Sequence, residues 1–257
     1  MTDPVPPEAP GPTPADAGAR KSPRLGLLGC GCGAIVVGLL LLMLAFTYLA
    51  WRQSERLKSG YDNPEEAAAR VREVLHYDEL PDGYYPLGGA SVPVFFRLAL
   101  LTDLPPEERE GGEGARRFHR SGFIFFSTFS LRSDDSELLR YFREGPKEGD
   151  KEMDLNLPKD GIAGDLGMDF EAREVIARGS EPVQAGRVYY VARRGGLEVS
   201  GDAFEGLATL FYLKCDEGHR VRFGLWFAPD PETADLQGTP GDPKALADFL
   251  GHFWICG

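Results

Sequence analysis

The stretch Leu25–Trp51, LGLLGCGCGAIVVGLLLLMLAFTYLAW, constrains this chain more than any other. It runs 27 residues without Asp, Glu, Lys, Arg, His, Asn, Gln or Pro. As a helix rising about 1.5 Å per residue it would exceed the roughly 30 Å hydrocarbon core of a bilayer. Tyr48, Trp51 and Arg52 near its end match the aromatic and basic belt at a membrane interface. A cleaved signal peptide has a shorter apolar core and a small-residue cleavage site, whereas this run ends in Phe46, Tyr48, Leu49 and Trp51. Leu27-Leu28-Gly29-Cys30 imitates a lipoprotein box, but the apolar bulk follows the cysteine instead of preceding it. The sequence therefore predicts a single-pass anchor over 25–51, in contact with the lipid bilayer and followed by one soluble domain.

The remaining boundaries come from composition. Residues 1–24 are rich in Pro, Ala and Gly without one aromatic residue, which predicts a disordered tail. Residues 52–62 read as a linker and 63–257 as an α+β domain long enough to bury its own core. The chain carries −12, the tail sums to zero and residues 52–58 to +2, leaving −14 for residues 59–257. So acidic a domain repels phosphate backbones, and nucleic acid is excluded as a partner. Arg20, Lys21 and Arg24 form a compact basic flank before the apolar run. That flank predicts a cytoplasmic N-terminus and an extracytoplasmic C-terminal domain.

Within the apolar run, Gly26, Cys30, Ala34 and Gly38 recur every fourth residue beside a G-x-x-x-G at Gly29 and Gly33. That spacing aligns small side chains on one helix face, which would suit a homodimer through those positions, or docking onto another membrane helix.

Beyond the linker the pattern is helix, two strands, helix, four strands, helix. Asn63 caps, Pro64 takes the first helical position, and Ala67, Val71, Val74 and Leu75 supply one buried face. Leu80-Pro81-Asp82-Gly83-Tyr84 is a turn and Val92–Thr102 a strand, and residues 103–117 read as a mobile loop. Phe118–Ser130 places Ile124, Phe126 and Thr128 on one side and Phe123, Phe125, Ser127 and Phe129 on the other. Apolar residues on both sides predict a central strand covered on both faces. Ser133–Glu137 opens a helix that ends at Gly145-Pro146, and residues 146–168 read as a surface excursion. Two hairpins follow, Arg173–Gly179 with Arg187–Arg193 around Ser180-Glu181-Pro182, and Ala208–Cys215 with Arg220–Ala228. Asp242-Pro243 starts a last helix whose apolar face is Leu246, Phe249, Leu250, Phe253 and Trp254.

Strands arriving in runs give an α+β class with a largely antiparallel sheet flanked by helices. This element order resembles PsbP-like α/β/α domains, which also end in a strand hairpin and a sheet-packing helix. The helix leading into L-P-x-G-Y at Leu80, Pro81, Gly83 and Tyr84 is similar to a feature of uncharacterised membrane-anchored bacterial proteins. Neither resemblance carries a diagnostic motif, and neither transfers a site.

The search for chemistry leaves no catalytic, cofactor-binding or metal residues to name. His76, His119, His219 and His252 lie far apart without H-E-x-x-H spacing. G-x-S-x-G, G-x-x-x-x-G-K-[ST] and a strand-following G-x-G-x-x-G are all missing. Asp154-Leu155-Asn156 with Asp160-Gly161 imitates a calcium loop, but Pro158 occupies a ligand position and the glycine comes two places late. Glu107, Glu108, Glu110 and Glu113 read as a solvated acidic cluster. Cys215 ends a strand and Cys256 follows the helix that should pack on that sheet, so the pair could close a disulfide. The functional expectation is a membrane-anchored, non-catalytic interaction or accessory domain. The alternative is a small-ligand-binding or enzymatic domain whose site is assembled from distant residues.

Overall fold

The computed structural model describes Tyr48, Arg52 and residues 63–92, 95–109, 116–129, 136–146, 166–184, 186–216, 220–231 and 233–256. Seven strands form one sheet: β1 (Tyr85–Val92), β2 (Phe96–Thr102), β3 (Gly122–Phe129), β4 (Met168–Val183), β5 (Gly186–Val199), β6 (Asp202–Cys215) and β7 (Arg220–Pro229). Their order is β1-β2-β3-β7-β6-β5-β4, and every neighbouring pair is antiparallel. Among the described residues three α-helices accompany them: α1 (Pro64–Leu75), α2 (Ser136–Glu144) and α3 (Pro243–Gly251).

The single transmembrane helix, and the single-pass localisation and orientation built on it, are corrected. Among the described residues no helix is long and apolar enough to cross a membrane. The longest of the three, α1, has 12 residues and rises about 18 Å, well short of a bilayer core. The apolar run at 25–51, with its dimer positions Gly26, Cys30, Ala34 and Gly38, lies outside the described residues apart from Tyr48. So do the tail, the imitation calcium loop and residues 147–165.

Helix α1 forms as its residues dictate. The Asn63 side chain accepts from the Glu66 amide, Pro64 sits in the first turn, and Ala67, Val71, Val74 and Leu75 are buried. Asp242 caps α3 by accepting from the Lys244 amide at 2.9 Å. Leu246, Phe249 and Leu250 of α3 join Val71, Val74 and Leu75 over one sheet face, on Ala99, Leu101, Phe123, Phe125, Phe211, Leu213 and Trp226. On the opposite face, Tyr141 and Phe142 of α2 pack on Tyr189, Val191 and Tyr212. A further cluster there gathers Leu98, Leu100, Met168, Phe170, Leu197, Leu225 and Phe227. Both faces of β3 are thus covered, with Phe123 and Phe125 buried under the helices and Ile124 half-buried on the other side.

Several boundaries differ from the sequence reading for identifiable reasons. One expected strand at Val92–Thr102 is a hairpin, because β1 begins at Tyr85 and pairs along β2. Residues 103–109 are pinned: Arg109 donates to the Leu104 carbonyl at 3.1 Å and to the Pro86 carbonyl at 2.8 Å. Ser180-Glu181-Pro182 does not turn. It lies inside β4, an edge strand on which proline's missing donor is tolerated. Strands β5 and β6 extend to a tight turn at Ser200-Gly201, where both residues have positive φ, 54° and 88°. That conformation matches the strand twist. β5 also runs past the expected end at Arg193 and through Gly195, where a Cβ would press on the Glu171 carbonyl oxygen of β4. Trp254 was expected on the buried helix face, but α3 stops at Gly251 and Trp254 is 62% exposed. Cys215 and Cys256 form a disulfide with Cα atoms 5.5 Å apart.

Candidate functional site

Register places one polar row on the helix-covered face. Arg97 of β2 is opposite Ser127 of β3, and Ser127 is opposite Arg222 of β7. Two residues before Arg222 on the same strand, and therefore on the same face, is Arg220, which pairs with Phe129. These four residues, with Val74, Phe125 and Ile255, line a cavity of about 70 Å³. The apolar residues come from the last turn of α1, from β3 and from the segment after α3.

The cavity wall is held by three separate links. The Trp254 amide donates to the His76 carbonyl at 2.8 Å, tying the C-terminal segment to the end of α1. Arg222 Nε donates to the Ile255 carbonyl at 3.1 Å. The disulfide joins the neighbouring Cys256 to the end of β6. Arg222 also donates from Nη1 to the Arg220 carbonyl at 3.1 Å, so two backbone carbonyls fix the plane of its guanidinium.

The electrostatics of this cavity are one-signed. Arg222 is 6% exposed. Its pKa is lowered by burial and then by Arg220 and Arg97, partly offset by Tyr212. That of Arg220 is lowered by burial and then by Arg97. Among the described residues no carboxylate forms an ion pair with Arg97, Arg220 or Arg222. Arg220 Nη1 is buried without a hydrogen-bond partner among the described residues. Guanidinium groups in such an arrangement hold oxyanions, because their planar N–H forks meet carboxylate and phosphoryl oxygens two at a time.

A larger cavity, about 360 Å³, lies at the far end of the β4–β6 hairpins and is lined by Asp169, Glu171, Glu198 and Glu205 with Arg173. Arg173 is paired to Glu205 at 2.6 Å and to Glu171 at 3.7 Å, so its charge is already answered. Among the described residues no group of three or more His, Cys, Asp or Glu side chains could hold a metal ion. His76, His119 and His252 are each exposed, and His219 lies outside the described residues.

The sequence reading did not identify Arg97, Arg220 or Arg222. The available signal was polarity where alternation demands an apolar residue: Arg97 in FRLALL, Ser127 in FFSTF and Arg222 in RVRFGLWF. No protein-family model, curated protein or solved structure matches the chain.

Proposed function

We propose that this domain is a non-catalytic binding module whose arginine cavity receives the anionic group of a small ligand. The observation that carries the reading is the convergence of Arg97, Arg220 and Arg222 on one cavity, with no carboxylate paired to any of them among the described residues. Like charges held together in a half-buried site oppose folding, and an anion seated between them removes that repulsion. Net charge decides the size of the ligand. A chain at −12 repels a long polyanion, whereas a small anion meets mainly the local field inside a Debye length of about 8 Å. Among the described residues the cavity lining offers Ser127 as its one hydroxyl and sets no histidine or carboxylate beside it as a base, which favours binding over chemistry.

The experiment is a titration of the full chain with sodium sulfate against sodium chloride at matched ionic strength, followed through arginine side-chain Nε–H resonances. Sulfate should move the Arg97, Arg220 and Arg222 signals and leave Arg173 and Arg194 in place. Equal movement of all arginine signals, or none, would overturn the reading.

A further inference from the structure

Resting on that reading, the geometry points to a dianionic tetrahedral group, a phosphoryl or the isosteric sulfuryl, as the ligand the cavity selects over a carboxylate. A carboxylate has two coplanar oxygens, and one guanidinium fork satisfies both. Here three forks meet. Arg222 is held by two backbone carbonyls and keeps Nη2 for a ligand, Arg220 lines the same cavity two residues earlier on β7, and the Arg97 side chain makes no hydrogen bond to any described residue. Ser127 adds a hydroxyl from the strand between them. Donors arriving from three strands match an acceptor whose oxygens point in three directions, not one lying in a plane.

Charge and size agree with this assignment. Three cations are under-compensated by a monoanion and nearly balanced by a dianion. At roughly 10–15 Å³ for each water-sized sphere, a cavity of about 70 Å³ has room for a group of some five heavy atoms. A nucleotide or sugar body would have to remain outside. Val74, Phe125 and Ile255 close the cavity with apolar walls, and the 44% exposed Phe129 opposite Arg220 provides apolar surface close by. The group can therefore arrive as a free ion or as the end of an ester whose body lies on the outer surface.

Calorimetric titration of the full chain with sulfate, inorganic phosphate, phenyl phosphate and acetate tests this at pH 5 and pH 7. The titrating group is on the ligand: a phosphate monoester gains its second charge near pH 6, while sulfate keeps the same charge throughout. Among the described residues the charged groups lining the cavity are the three arginines, with Tyr212 acting on Arg222. Sulfate should bind equally at both pH values and at least tenfold tighter than acetate, and phenyl phosphate should bind several-fold tighter at pH 7 than at pH 5. Arg97→Met, which loses no side-chain hydrogen bond to a described residue, should weaken sulfate and both phosphates at least tenfold while the circular dichroism spectrum is unchanged. Tighter binding of phenyl phosphate than of inorganic phosphate assigns the ester, and the reverse assigns the free ion. Both orders support the class. Acetate binding as tightly as sulfate and lost in Arg97→Met would overturn the dianion while leaving an anion site. Failure of every anion to bind, or binding untouched by Arg97→Met, would overturn the site itself.

Discussion

The two ends of the helix-covered sheet face treat arginine in opposite ways. Along β6, Leu213 lies opposite Arg222 and Glu205 pairs to Arg173, with the same face turned up at both positions. The eight residue steps from Glu205 to Leu213 span about 26 Å. At the Glu205 end each arginine has an anion of its own: Arg173 has Glu205 and Glu171, and Arg194 has Asp230 at 2.5 Å and Glu174 at 3.4 Å. At the Arg222 end three arginines share one small cavity and donate to backbone carbonyls or to nothing described. Paired surface arginines stabilise a fold modestly. Buried or half-buried ones with no described anion oppose it, and their gathering on one cavity is what points to a ligand.

The comparison can be broken most forcefully at the disulfide, which braces only the arginine end. Cys256→Ser, or reductant on the native chain, should lower unfolding free energy by about 4 kcal/mol, since the bridge joins residues 41 apart. Urea unfolding with and without reductant would measure this, and coincident midpoints would refute it. Between the two ends, Trp226 Nε1 donates to the Tyr84 hydroxyl at 2.7 Å. Tyr84→Phe leaves that donor without its acceptor and should cost about 1–3 kcal/mol in the same assay. Burial raises the Tyr84 pKa, so the folded state keeps this proton more tightly than the unfolded chain. Its contribution is complete below the ordinary phenol value near 10 and is lost as pH climbs through the higher folded value.

A smaller effect, of opposite sign at the two ends, sharpens the comparison further. With no anion present, Arg97→Met should raise stability by about 1 kcal/mol through relief of repulsion, seen as a melting temperature higher by a few degrees. Arg194→Met should lower it, because Asp230, whose side chain is only 9% exposed, would lose its charge partner. Both variants melting lower would show that the cavity arginines are as well accommodated as the paired ones. Least of all should follow from Arg173→Met. Arg173 and Glu205 are each 54% exposed, and no shift in midpoint is expected.

What could be read in advance was local. Asn63-Pro64 and Asp242-Pro243 start helices by short-range capping chemistry, and Ala67, Val71, Val74 and Leu75 declare a face by spacing alone. Phe123–Phe129 revealed apolar residues on both sides because alternation is visible within one strand. What was hidden depends on neighbours. Gly195 and Pro182 look like breakers until the β4 backbone beside Gly195 and the free edge beside Pro182 are known. The long apolar run dominated the reading of localisation, yet the helices described are short and pack on a sheet. The arginine site was the least legible feature of all. Arg97, Ser127 and Arg222 are separated by 30 and 95 positions in the chain and become neighbours only through the β2-β3-β7 register.

The central claim is that the arginine cavity holds an anion and the carboxylate-rich end does not. Soaking crystals of the full chain in selenate, an anomalous scatterer shaped like sulfate, tests it directly. The account predicts an anomalous peak between Arg97, Arg220 and Arg222 that is lost in Arg97→Met and has no counterpart beside Arg173 or Arg194. An empty arginine cavity, or peaks of equal height at both ends, would contradict it.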